Sequence, residues 1–307
     1  MLPIDISKSE IIQCPILQLV ERGSDKTTVF LPNYGEFGST IHKLIKLVYF
    51  FDCPKKIVCC RKGEEAYFPN ADDFYYDWED FVEEKHKWGF FTKRSLTGIE
   101  KNHRYREYKN LLTQDVNNIK KALGEDCNYI PLWTFKHTPI FEKYHSHFVF
   151  DFKPIKKQGA KADVVISPRN RSSRQENNFL EWDGIINVLN ENGYSVGCVG
   201  SKNQSLNLSQ SRVNSWDYDD NASAVIELFS NCKLYLGLDT GVSHLAAFMS
   251  IPMIVFSHSA QNYYLTSYMA EINKNYFLDL GKSVKDISTI TNSVLNFLNK
   301  VDIQLPL

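Results

Sequence analysis

Short apolar runs recur through the second half of the chain: "DVVIS" (163–167), "YSVGCVGS" (194–201), "KLYLGL" (233–238) and "PMIVFS" (252–257), with "YFLDL" (276–280) as a fifth. Between them lie stretches with helical spacing. In "ENNFLEWDGIINVLNENG", Phe179, Trp182, Ile186 and Leu189 fall on one face, and Gly193 is a natural stop. "NASAVIELFSN" and "GVSHLAAFMS" read as two further helices. Strands that are apolar throughout, joined by helix-length crossovers, form a parallel sheet covered on both faces. Few other folds accommodate such a pattern.

The first half repeats the theme in outline. "TTVFLPN" reads as a strand, "STIHKLIKLVYFF" as a helix and "KKIVCCR" as a strand, while residues 64–110 mix aromatic and charged groups without a clean period and are assigned to helix. The length of 307 residues suits two domains, each with its own core. "DFKPIKKQGAKA" (151–162) combines Pro154, Gly159 and lysines with few apolar groups, as a linker does. The expected division is therefore an N-terminal α/β domain, 1–155, and a C-terminal one, 156–307. The last periodic segment, "VKDISTITNSVLNFLNK", either closes the second domain or packs back on the first.

Composition excludes several classes. A net charge of -1 gives no global attraction for nucleic acid or anionic membrane. No apolar run reaches spanning length, and the N-terminus lacks the pattern of a signal peptide. The cysteines, seven in all, include no C-x-x-C pair, so neither a disulfide framework nor a zinc site is indicated and a cytoplasmic location is expected. No G-x-G-x-x-G follows any predicted strand, which argues against a nicotinamide dehydrogenase.

The polar knot Asp239-Thr240-Gly241-Val242-Ser243-His244 stands where the strand "KLYLGL" hands over to a helix. In a parallel α/β sheet that end of a strand is where ligands bind. The first amides of the helix suit a phosphate, Gly241 permits close approach, and Thr240 and Ser243 can add hydroxyl donors. A plainer alternative stays open: Asp239 or Thr240 is only an N-cap, Ser243 an ordinary helical residue and His244 a buried imidazole.

The whole stretch "GLDTGVSHLAAFMSIPMIVFS" resembles the donor-site signature of the heptosyltransferase-like glycosyltransferases, family nine, of GT-B architecture. The resemblance implies two Rossmann-like domains facing a cleft and an inverting, metal-independent transfer of a hexosyl or heptosyl group. The co-substrate would be a nucleotide diphosphate sugar, with no further cofactor, and the acceptor a hydroxyl of a glycan or glycoconjugate, possibly anionic. It assigns the diphosphate to backbone amides of Thr240, Gly241 and Val242, with Ser243 and His244 beside it, and gives Asp239 the turn or a sugar hydroxyl. In the first half "VFLPNYGEFGSTIHKLIKL" matches the family's first loop, with Gly35-Glu36 at the place of its Gly-Asp pair. Glu36 is thereby the expected general base, glutamate replacing the usual aspartate, with Asn33, Tyr34 and Gly35 on the acceptor side.

Other contacts follow with less specificity. "ISPRNRSSRQENN" places Arg169 and Arg171 where the family delivers a basic group to the donor phosphates, and guanidinium forks match phosphate oxygens. Gly200 and Ser201, after the next strand, lie where such folds meet the base or ribose. The basic stretch 85–109, including Arg104 and Arg106 among interleaved aromatics, is either a solvated loop or an acceptor-side surface. Asp217-x-Asp219 looks like a metal-binding pair but stands where helix-capping acids are expected, so no metal is assigned. Alternatives to the transferase are a nucleotide-sugar epimerase of the same fold, a catalytically silent glycan- or nucleotide-binding protein, and an enzyme that glycosylates a nucleic-acid base.

Overall fold

A computed structural model describes residues 23–32, 44–76, 116–130, 151–168, 181–202, 205–238, 240–256, 277–280 and 286–304. The chain divides into two units, Met1–Phe141 and Glu142–Leu307, and each is built on an all-parallel sheet.

In the first unit β1 (Thr28–Phe30) runs toward α1 (Lys46–Phe50), which leads to β2 (Lys56–Cys59) and then β3 (Asp73–Tyr75). A helix over 116–123, α2, precedes β4 (Asn128–Ile130). The described order across the sheet is β3-β2-β1-β4. Val29, Leu31, Ile57, Cys59 and Tyr129 pack on Val116 and Ile119 of α2, while Phe30 meets Phe51 edge-on with ring centroids 5.8 Å apart. The half-buried Lys56 amine donates to the terminal carbonyls of α1, 2.8 Å to Val48 O and 3.4 Å to Tyr49 O. These are carbonyls the helix cannot satisfy itself. Burial pushes the Lys56 pKa down.

The helix expected in 64–110 is corrected over its first part. Residues 65–67 form a single 3-10 turn, and residues 73–75 are an edge strand held by Asp72, whose carboxylate accepts from the Lys56 N–H at 2.7 Å. A three-residue edge strand is too short to impose a legible period. Residues 77–110 lie outside the described ones.

The second unit starts at β5 (Val164–Ser167), continues through α3 (Trp182–Glu191) to β6 (Val196–Cys198) and β7 (Val213–Asn214). It then returns through a 3-10 turn, Ser215–Asp217, and α4 (Asn221–Asn231) to β8 (Leu234–Leu238). After β8 come α5 (Gly241–Phe248), β9 (Met253–Phe256), β10 (Phe277–Asp279) and α6 (Ile287–Gln304). The sheet order is β10-β9-β8-β5-β6-β7. The apolar face of α3 is Trp182, Ile185, Ile186 and Leu189, and the helix ends at Gly193 with φ +84°, as its sequence predicts.

Ile290, Val294 and Leu298, spaced four apart on α6, join that same core with Ile254 and Trp182. The last helix thus closes the second unit. Residues 151–162 lie within this unit as well. The α4 side chain of Ser223 accepts from Ile155 N at 2.9 Å, and buried Glu227 accepts from Gln158 N at 2.7 Å and Ala160 N at 2.9 Å. The segment expected to be a linker is therefore strapped to α4 inside the second unit, and the division falls at 141/142 rather than at 155/156.

Candidate functional site

From β5 the chain moves outward to β6 and β7, and only later returns to the opposite side of β5 as β8. The strand order reverses between β5 and β8. In open parallel sheets ligands bind beyond the carboxyl ends of the two strands at such a reversal. Ser167, the last residue of β5, is in register with Gly237, one residue before the end of β8. Pro168 and Thr240 are the next described residues on either side; Arg169 and Arg171, and Asp239, lie outside the described residues.

The four described α-helices of this unit begin differently. Asp220 caps α4, accepting from Ser223 N at 2.9 Å, and Asp286 stands before α6, accepting from Thr289 N at 2.8 Å. Hydrogen bonds from the Ser288 hydroxyl and from the hydroxyl and amide of Thr289 hold the Asp286 carboxyl below its usual range. By contrast α3 and α5, which follow the two strands of the reversal, have no side-chain cap. The first turn of α3 contains Asp183 and its N-cap is Glu181, whereas the first turn of α5 contains no acid. The amides of Gly241 and Val242 therefore sit at the positive end of α5 with no intrahelical acceptor. Such a terminus attracts an anion, and each charge-assisted bond to it is worth about 1.5–3 kcal/mol.

Thr240, although in the N-cap position, does not act as a cap. It is extended, at φ -140° and ψ 167°, and its Oγ1 lies 3.2 Å from Ser243 Oγ. Its carbonyl accepts from Ser243 N at 3.1 Å and His244 N at 3.4 Å, which tightens the first turn. The plainer alternative for Thr240, a conventional N-cap, is set aside by this geometry.

Ser243 is fully buried, and its hydroxyl donates to Leu238 O at the end of β8. Tyr235 Oη approaches it at 2.9 Å. The expected contribution of Ser243 as a hydroxyl donor to phosphate is thus corrected, because its one proton is held by the strand. Tyr235 reaches Ser243 by lying along β8 across Gly237; a Cβ at Gly237 would stand 2.1 Å from the tyrosine oxygen. Phe229 of α4 steadies the ring edge-on, with centroids 5.5 Å apart. Sequence reasoning read Gly237 only as part of a strand. A glycine two residues after an aromatic on a buried strand is the local signal of such a close approach.

His244 is buried on α5. Gly200 follows β6 at φ +149°, with its N–H 3.3 Å from Ser215 Oγ and its carbonyl accepting from Asn221 Nδ2 at 3.0 Å. These bonds join the β6 loop to the start of α4, and Ser201 beyond them is exposed. Asp217 accepts from Asn214 Nδ2 at 2.9 Å. Burial pushes the Cys198 and Cys232 thiols up to about 12, so neither is a nucleophile near neutral pH.

In the first unit the described chain reaches Leu31 and Pro32 at the carboxyl end of β1, where Leu31 N donates to Ile130 O at 3.0 Å. The strand order reverses here too, between β1 and β4. Asn33, Tyr34, Gly35 and Glu36 follow at once in sequence and lie outside the described residues, as do Arg104 and Arg106.

Neither a protein-family model nor a curated protein matches the sequence. Among solved structures, the chain is similar to the E. coli heptosyltransferase WaaC with ADP, at 11% identity and TM-score 0.45, covering 90% of this chain and 99% of that one. It is also similar to a family 9 glycosyl transferase from Veillonella parvula, at 13% identity and TM-score 0.46, covering 90% and 97%. The spinosyn forosaminyltransferase SpnP is a further such structure, at 12% identity and TM-score 0.39, covering 90% and 91%.

Proposed function

We propose that the chain is a glycosyltransferase that moves a sugar from a nucleotide diphosphate sugar to a hydroxyl acceptor, with inversion and without a bound metal. The observation that carries this reading is the start of α5 at the strand-order reversal, where Thr240 makes no side-chain cap bond and the first turn, beginning with Gly241 and Val242, contains no acid. The amides of Gly241 and Val242 receive the diphosphate, and Arg169 and Arg171, which follow β5 in sequence, supply counter-charge. Glu36 takes the proton of the acceptor hydroxyl as its oxygen attacks the anomeric carbon. The bond from that carbon to the diphosphate oxygen breaks, and its electron pair leaves with the diphosphate. Developing negative charge on the leaving group then faces the positive end of α5. The acceptor is a glycan or related glycoconjugate.

A thermal-shift screen of nucleotide diphosphate sugars tests the donor. A ligand at about a hundred times its dissociation constant stabilises by roughly 2.7 kcal/mol. Incubation of that donor with candidate acceptors, followed by mass and anomeric analysis of the products, tests the transfer. A glycosylated acceptor of inverted configuration supports it. An epimerised nucleotide sugar, or binding with no turnover on any acceptor, replaces it with the epimerase or the silent binding protein.

A further inference from the structure

Residues 151–162 have two unlike faces. Phe152, Ala160 and Ala162 are buried, whereas Lys153, Lys156, Lys157 and Lys161 are all exposed. Among these lysines stands Ile155, 62% exposed and the one exposed large hydrophobic side chain among the described residues. We propose that the outer face of this strap is a docking surface for a bilayer bearing anionic phospholipids. The lysines draw it to the headgroups, and Ile155 enters the boundary between headgroups and acyl chains. The proposal is independent of the sugar-transfer reading and of its donor site.

Hydrogen bonds to α4 fix the strap in this attitude. Ile155 N and Lys156 N donate to Ser223 Oγ at 2.9 Å and 3.4 Å, and Gln158 N and Ala160 N donate to the Glu227 carboxylate at 2.7 Å and 2.9 Å. The backbone therefore serves the helix while the Ile155 side chain is left in water, where an aliphatic group is unfavourable. A mobile loop would lose its freedom on docking, whereas this segment has lost it already in folding. The neighbouring acids are engaged: Glu227 by these amides, Asp220 by Ser223, and Asp151 by Lys153 at 3.1 Å. Lys156, Lys157 and Lys161 form no ion pair among the described residues. Their positive charge is thus uncompensated locally, on a chain whose net charge is only -1.

The residue types favour a lipid surface over a macromolecule. Protein interfaces are poor in lysine and rich in arginine and aromatic groups, but the strap has lysine, no arginine and a single aromatic, Phe152, which is buried. A nucleic-acid strand would find partners for its phosphates, yet no exposed ring on which a base could stack and no seat for an isoleucine. Ammonium groups around an aliphatic side chain suit an anionic bilayer. Its surface potential attracts the charge, and its interface accepts the side chain.

Sedimentation of the full chain with vesicles tests this, one set of phosphatidylcholine alone and one of equal parts phosphatidylcholine and phosphatidylglycerol. The expected result is binding to the second set only, weakening as salt rises. Lys156→Gln and Lys157→Gln combined in one chain should lower the partition coefficient roughly twentyfold, since each lysine near an anionic surface contributes about fivefold. Ile155→Ser should lower it about fivefold at low and high salt alike. The three side chains are exposed, so the variants are expected to keep the fold, and their unfolding midpoints check this. The inference is overturned if the wild type ignores phosphatidylglycerol vesicles, if it binds both sets equally, or if either variant binds as the wild type does. Duplex DNA and polyglutamate are the competing probes. Tighter binding to either of them, lost in the lysine variant and kept in Ile155→Ser, assigns the lysines to an acidic polymer and equally overturns it.

Discussion

The two sheets begin alike and diverge at their carboxyl edges. Among the described strands, each unit has first an inner strand, then two strands on one side of it, then one on the other, so that β3-β2-β1-β4 and β7-β6-β5-β8 follow the same plan. The second continues to β9 and β10. In the first unit the described polar side chains serve the opposite ends of the elements: Lys56 takes the last carbonyls of α1, Asp72 binds the Lys56 amide, and Asp73 pairs with Lys55 at 2.9 Å on the exposed surface. In the second unit they discriminate among helix starts, capping α4 and α6 and leaving α5 uncapped. The start of α5 presents backbone amides, whereas the proposed base of the first unit, Glu36, lies outside the described residues.

Four experiments test this division, in order of expected effect. Glu36→Gln removes the proposed base with little change of volume, so turnover should fall by ~10²–10⁴-fold while donor affinity stays within about twofold. Initial rates and calorimetry measure the two, and wild-type turnover would detach the chemistry from the first unit. Gly237→Val forces Tyr235 off its track and should destabilise the second unit by about 3 kcal/mol without moving the unfolding of the first. Urea unfolding followed by hydrogen exchange, resolved by unit, reads that asymmetry.

Gly241→Val places a branched side chain before the α5 amides and should weaken the donor by about 2 kcal/mol, roughly thirtyfold. An unchanged affinity in the folded variant would remove the anion from the second unit. The smallest effect concerns Asp163. Burial opposes its charge, but bonds from Ser195 N at 2.9 Å and Ser195 Oγ at 2.6 Å, aided by Lys233 and Arg212, leave its pKa below the ordinary value. A depressed carboxyl stabilises the fold above the unfolded pKa, near 3.9, and that contribution is lost as pH falls through the folded value. With screening the contribution is under about 1 kcal/mol. Asp163→Asn should therefore lower second-unit stability at pH 7 by under about 1 kcal/mol and flatten its acid limb, the difference from wild type shrinking as pH falls below about 4.

How much of this was legible in the sequence depended on burial. Strands β5, β8 and β9 are flanked on both edges and covered on both faces, and "VVIS", "LYLGL" and "MIVF" are apolar throughout. The unforeseen strands β3, β4 and β7 stand at the ends of the described strand orders and have two or three residues, several of them polar. Runs that short leave no legible period. At the site, the glycine and the helix start could be read from their order in the chain. The role of Ser243 could not, because the direction of its proton is set by a carbonyl five residues back and a tyrosine eight residues back.

The strap along α4 bears on how the chain can be divided and recombined. A second unit that began at residue 163 would keep every strand of its sheet yet leave the Glu227 carboxylate buried without the amides of Gln158 and Ala160. A buried charge stripped of its partners costs on the order of 3–5 kcal/mol. A cut at residue 156 would spare those two bonds and sever the one from Ile155 to Ser223. The transferable piece therefore begins ahead of Ile155, and any exchange of second units between related chains must carry this basic segment along with the sheet it precedes.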